Sequence, residues 1–123
     1  MNPLVLVIED NEQNLYLMRF LLEKNGFTVV EATDGLKGVE MAKETKPNLI
    51  LLDIQLPRMD GYAVAREIRK NDELTGTPIV AVTSYAMVGD RERVLAAGAD
   101  GYIEKPINPE TFVSEIERFL PQL

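Results

Sequence analysis

The stretch Asn48-Leu49-Ile50-Leu51-Leu52-Asp53-Ile54-Gln55-Leu56-Pro57-Arg58-Met59-Asp60-Gly61 changes character at Asp53. Before it runs a short apolar segment of the kind that parallel strands show when both faces of their sheet are covered. After it come a proline and an Asp-Gly pair, which mark a loop leading into a helix. A carboxylate just past such a run stands at the carboxyl end of a parallel strand, the edge along which open α/β sheets build their sites.

Working outward, residues 4–8, 27–31, 78–82 and 101–104 are also short and rich in Val, Ile or Leu, so with 48–52 five strands are expected. Three of the five are apolar almost without interruption, as strands covered on both faces should be; the other two are expected nearer an edge. Between and after them, Leu15, Met18 and Leu22, then Leu36, Val39 and Met41, then Val64 and Ile68, then Val94 and Leu95, then Phe112, Ile116 and Leu120 fall at helical spacing. Asn11 is placed to cap the first helix and Asn25-Gly26 to end it, while Asn108-Pro109 offers a cap followed by proline at the first helical position. Asp34-Gly35 and Asp60-Gly61 mark two further helix starts. The order is a strand and a helix repeated five times, an α/β chain. Right-handed crossovers then favour a flavodoxin-like (βα)5 three-layer sandwich with a parallel sheet in the order 2-1-3-4-5 and a switch point between strands one and three.

Length and composition narrow the function. The chain has 123 residues and 46% hydrophobic content, enough for one core, and a single domain over residues 1–123 is expected. It stops directly after the fifth helix, so no attached output domain is expected. A net charge of -7 repels phosphate backbones and anionic lipid, which argues against nucleic acid or membrane as a partner. There is no cysteine and no histidine. That removes disulfides, thiolate and imidazole metal sites, imidazole bases and any histidine-borne phosphate carrier. The apolar run at 4–8 is far too short to span a membrane and is followed by acids, so a soluble, cytoplasmic protein is expected.

Glu9-Asp10, Asp53, Thr83 and Lys105-Pro106 each follow one of the strand-like runs, so residues distant in sequence should converge on one pocket. Carboxylates gathered there repel one another unless a cation compensates. Magnesium suits the set: it prefers a few oxygen ligands and keeps several waters, so Asp10, Asp53, a backbone carbonyl just beyond it and water would suffice. Calcium would require a fuller oxygen cage. Lys105 supplies a point charge for a phosphate and Thr83 a hydroxyl donor. Carboxylate, magnesium, lysine and hydroxyl together describe phosphoryl transfer to an aspartate.

At Glu9-Asp10, residues 53–61, Thr83 and Lys105-Pro106 the sequence resembles the receiver domains of two-component response regulators, over essentially its whole length. The Val7-Ile8-Glu9-Asp10-Asn11 opening and the stretch from Ala86-Met87 to Lys105-Pro106 are most similar to stand-alone regulators of the DivK type and to receivers of hybrid kinases. The resemblance implies that Asp53 is the phosphoacceptor and that Glu9 and Asp10 hold magnesium directly or through water, with the Gln55 carbonyl completing the protein ligands. It implies that Lys105 pairs with the phosphate and that Thr83 turns inward to bond it. Tyr102 would then follow, carrying the change to the surface of the fourth helix, fifth strand and fifth helix. A cis bond before Pro106 is implied as well. Glu9 departs from the commoner Asp-Asp pair, and its longer side chain suits a water-mediated role. Gln55 and Tyr85 match positions that tune phosphate lifetime.

The donor implied is a histidine kinase or phosphotransfer protein, and the output a protein partner whose affinity changes on phosphorylation. A monomer or weak dimer is expected. The chain would act as a switch with magnesium-dependent self-phosphorylation and slow self-dephosphorylation, not as a turnover enzyme. The alternatives are a small aspartyl-phosphate phosphohydrolase and a receiver cut from a hybrid kinase; the first lacks a capping insertion and a second general acid-base. Asn14, Leu17 and Leu21 of the first helix, with Pro106 and Ile107, form the expected docking face for the helical bundle that carries the phosphohistidine. Arg91-Glu92-Arg93 is expected to be a solvated helix face.

Overall fold

A computed structural model describes residues 2–84 and 89–120. Tyr85, Ala86 and Met87 lie outside the described residues. Five parallel strands, β1 (Leu4–Ile8), β2 (Thr28–Ala32), β3 (Leu49–Asp53), β4 (Ile79–Thr83) and β5 (Gly101–Glu104), form one sheet in the order β2-β1-β3-β4-β5. The helices are α1 (Glu12–Lys24), α2 (Gly35–Thr45), α3 (Gly61–Arg69), α4 (Asp90–Ala97) and α5 (Phe112–Glu117), with a 3-10 turn at Asp72–Leu74. The expected flavodoxin-like topology is the one observed.

Strand alternation sorts the core into two halves. Leu6, Ile8, Ile50, Leu52, Ile79 and Ala81 face α2, α3 and α4, and Val5, Val7, Leu49, Leu51, Val80, Val82 and Ile103 face α1 and α5. In β1, β3 and β4 both sets are buried, which is why those strands read as continuous apolar runs. β2 and β5 are the edges.

Three strands begin and end one residue later than the apolar pattern predicts. Hydrogen bonding, not hydrophobicity, sets these ends. Pro78 has no N–H to offer the ladder and serves it through its carbonyl, which accepts from Ile50 N–H. Phe27 N–H is spent on Leu22 O, closing the end of α1. The shift takes Asp53 and Thr83 into β3 and β4 as their last residues.

Side-chain oxygens start the helices where expected. Asn11 accepts from Asn14 N–H, Asp34 from Lys37 N–H and Asp60 from Ala63 N–H, each at 2.9 Å. Asn25 closes α1, and Gly26 follows at φ 89°, a conformation that glycine adopts without strain. Asn108 accepts from Glu110 N–H and opens a turn, but α5 itself starts only at Phe112, after Thr111. Two of the expected inward positions are exposed. Leu36 is 46% exposed because α2 turns Gly38, Val39 and Ala42 to the sheet and Gly35 to the β3–α3 loop. Leu95 is 40% exposed because adjacent helical positions diverge by about 100°, and Val94 holds the core position.

At the end of the sheet remote from the site, Arg69 ties several segments together. Its guanidinium donates to Gly98 O, Leu74 O and Thr77 O at 2.8–2.9 Å and to Asp100 Oδ2 at 2.7 Å. Asp100 Oδ2 also accepts from Ile79 N–H at the start of β4.

Candidate functional site

Register brings the candidate residues to one edge. Ile8 pairs with Leu52, which sets Glu9 level with Asp53, and Thr83 pairs with Glu104, which sets Lys105 one step beyond. The main chain holds both extensions in place: Glu9 N–H donates to Ala32 O at 3.0 Å and Lys105 N–H to Thr83 O at 2.8 Å. The Lys105–Pro106 bond is cis.

Glu9, Asp10, Asn11, Asn14, Asp53, Gln55, Ser84, Lys105 and Pro106 line an open cavity of about 730 Å³. Asp53 is 5% exposed. Its Oδ1 accepts from Gln55 N–H at 3.0 Å, and Oδ2 faces Lys105 Nζ at 3.4 Å. Glu9 is fully buried; Oε2 accepts from Asn11 N–H at 3.2 Å and Oε1 lies 2.7 Å from Lys105 Nζ. That last approach is an ion pair without hydrogen-bond angles. Among the described residues, Glu9 Oε1 is the buried side-chain oxygen left with no hydrogen bond.

One carboxylate oxygen from each of Glu9, Asp10 and Asp53 lies within 4.8 Å of the others. An all-oxygen set of this kind, with an exposed Asp10 for access and an unsatisfied oxygen on Glu9, fits a hard divalent ion. Without one, burial raises the Glu9 carboxyl from 4.5 to about 7. The neighbouring Asp53 carboxylate adds to the rise, and Lys105 opposes it without reversing it.

Thr83 does not share that cavity's lining. It is 2% exposed and lines an adjoining cavity of about 630 Å³ with Tyr62, Asp90, Arg93 and Val94, and the two cavities meet at Asp10 and Gln55. Strand alternation is the reason: Asp53 and Ser84 face the α1 side of the sheet, Thr83 the α4 side. Tyr102 is half-buried against the same α4-side core as Ala81, its register partner, two residues before Thr83. Burial pushes its phenol upward, with the charges of Glu104 and Asp90 adding to the effect.

The expected docking face is altered. Ile107 and Leu21 are 7% and 8% exposed and belong to the core, and Leu17 is half-buried against it. Asn14 and Pro106 remain at the cavity wall. The exposed apolar side chains of α1 are Tyr16 and Phe20, whose rings stack. Ser84 went unassigned in the sequence, although its place two residues after Val82 puts it on the face of Asp53. Arg91, Glu92 and Arg93 are exposed, as expected of a solvated helix face, and Arg93 also lies over the Tyr62 ring at 4.5 Å and borders the Thr83 cavity.

A doubly wound parallel sheet with buried acids at the carboxyl edge of its central strands, faced by one lysine, defines an open α/β fold with its polar site at the switch point. A profile of the response regulator receiver domain matches residues 5–117, and the chain belongs to that family. It is 41% identical over 116 residues to the polar-differentiation response regulator DivK of Brucella anthropi, covering 94% of each chain. To DivK of Brucella ovis it is 40% identical over 120 residues, covering 98% of each. Among solved structures it is similar to the receiver domain of the sensor histidine kinase PA1611 from Pseudomonas aeruginosa, with a TM-score of 0.89, 34% identity, and 97% and 98% coverage. That structure carries a magnesium ion coordinated in its active-site cleft. The chemotaxis response regulator CheY4 of Vibrio cholerae superposes with a TM-score of 0.93 at 27% identity, with 98% and 100% coverage. No helix among the described residues is long and apolar enough to cross a membrane.

Proposed function

We propose that the chain is a phosphorylation-controlled switch, a single receiver domain over residues 1–123, that takes a phosphoryl group onto Asp53. One observation carries this: Asp53 is buried at the sheet edge with Oδ1 accepting from Gln55 N–H and Oδ2 facing Lys105, beside two further carboxylates. The donor is a phosphohistidine on a histidine kinase or phosphotransfer protein. An Asp53 oxygen attacks phosphorus, the P–N bond breaks, and the imidazole leaves with the electron pair and takes up a proton.

Glu9, Asp10, Asp53 and the Gln55 carbonyl are the residues that would hold magnesium. When bound, the ion neutralises charge on the transferring group's oxygens. Lys105 sits where it can pair with the phosphate once Asp53 carries it. Thr83, one strand away on the other face, is the hydroxyl that would bond the aspartyl phosphate. Tyr102 shares that face and would pass the change to α4 and β5. Asn14 and Pro106 border the opening through which a donor helix approaches, and Leu17 lies half-buried beside them on α1.

Output is a protein partner, and the cell compartment is the cytoplasm. The chain matches a DivK relative over 98% of that relative's length, which supports a regulator of that kind. The test is incubation with magnesium and a small acyl phosphate, followed by intact mass. A gain of one phosphoryl group that is alkali-labile and absent in Asp53→Asn is expected. No gain from the small donor or from a cognate kinase overturns the proposal.

A further inference from the structure

Gly35, the first residue of α2, lies against the loop that carries Gln55. A Cβ built on Gly35 would stand 2.1 Å from Met59 O, 2.7 Å from Met59 Cβ and 2.9 Å from Met59 C. Two of those three atoms are backbone, so a side-chain rotation cannot relieve the overlap. The loop has little slack to absorb it. Gly61 N–H donates to Ile54 O at 2.8 Å and closes its neck, where a Cβ on Gly61 would in turn meet Ile54 Cα at 2.5 Å. At its tip Met59 N–H donates to Pro57 O at 2.8 Å across Arg58, which is held at φ 70°, a left-handed conformation costly for a non-glycine residue.

The start of α2 is equally fixed. Asp34 caps it, and Gly38 lies over Ile8, the residue before Glu9, so closely that a Cβ there would be 2.7 Å from Ile8 Cδ1. α2 thus spans from the end of β1, which carries the acid pair, to the β3–α3 loop, which carries the third protein ligand.

We propose that Gly35 is a positioning residue for divalent-metal binding, its missing side chain being the seat that sets the distance between the Gln55 carbonyl and the Glu9–Asp10 pair. The inference rests on the reading of Gln55 as a ligand given above. Gly35→Ala must push Met59, and with it the loop, away from β1. A seat of this kind supports ligands that it does not touch, and losing such support weakens metal binding by about 10-fold to 100-fold.

The test compares Gly35→Ala with Val39→Ala, a cavity-forming change in the same helix, by Mn²⁺ titration with electron paramagnetic resonance, Mg²⁺ competition and urea unfolding. Gly35→Ala is expected to weaken both ions by about tenfold or more and to shift the Gln55 amide resonance in the metal-free protein. Val39→Ala is expected to lose stability while binding within about twofold of wild type. Should Gly35→Ala not fold, Met59→Gly loosens the same seat from the loop side and is expected to weaken binding. Wild-type affinity with an unmoved Gln55 amide in Gly35→Ala overturns the inference, as does equal weakening in Val39→Ala. A wild-type chain that binds no divalent ion overturns the reading of the site as well.

Discussion

Lys105 Nζ lies nearer to Glu9 than to Asp53, 2.7 Å against 3.4 Å. The amine is thus paired first with the fully buried acid and only then with the proposed acceptor. Two carboxylates competing for one ammonium leave Asp53 available to react, while Glu9 keeps the lysine in place.

Replacing Lys105 with Met separates its two roles. Transfer from a small acyl phosphate is expected to slow by about 10²-fold, as when one charge-stabilising donor is removed from a reacting site. Stability of the metal-free protein is expected to fall by up to roughly 3 kcal/mol at pH 8, where Glu9 loses the charge that balances it and must either stay buried unpaired or take up a proton. At pH 5.5 the loss is expected to be much smaller, because Glu9 is then protonated. Urea unfolding at the two pH values checks it, and equal losses would show that Lys105 does not answer the Glu9 charge.

Glu9 also imposes a pH dependence of its own. Its carboxyl is raised from 4.5 to about 7 in the folded metal-free chain, so between those values folding takes up a proton. Its stabilising contribution is therefore full below pH 4.5 and lost as the pH rises through about 7. The difference corresponds to about 3 kcal/mol. Glu9→Gln is expected to flatten the stability profile between pH 5 and 8 and to stabilise the metal-free protein at the upper end. Divalent binding, which requires the charged form, is expected to tighten over the same rise in pH; calorimetry in buffers of different ionisation enthalpy would detect the released proton.

Arg69 joins α3 to the loop before β4 and to the α4–β5 turn through the carbonyls of Leu74, Thr77 and Gly98. Arg69→Ala is expected to destabilise the fold by about 3 kcal/mol, because several hydrogen bonds to a charged donor are lost together. Arg69→Lys should recover little, since an ammonium cannot reproduce the planar fork. Near-wild-type urea midpoints for either variant would count against the clamp.

Val94 and Leu95 separate burial from hydrophobicity. Val94→Ala is expected to cost about 2 kcal/mol, and Leu95→Ala to stay within about 0.5 kcal/mol, as their 1% and 40% exposures require. Chemical denaturation of the two variants side by side would decide it.

Much of this was legible in the sequence because the governing signals are local. Apolar runs, caps at Asn11, Asp34 and Asp60, and the short crossovers were enough for the parallel order and for bringing Glu9, Asp10, Asp53 and Lys105 to one edge. Periodicity failed at Leu36 and Leu95, where the small residues of α2 and the inward pair Val94 and Ala97 of α4 decide which side packs. It failed again at Ile107 and Leu21, which close the core instead of forming a docking face.

The sequence by itself thus determined the fold class and the inventory of the site, since the types and order of residues express local preferences that need no partner. Tertiary structure alone decided that Asp53 and Thr83 stand on opposite faces of the sheet, that Lys105 binds Glu9 first, and that Met59 rests on Gly35. Those depend on register between strands, on burial that alters proton affinity, and on backbone approaches between segments distant in the chain.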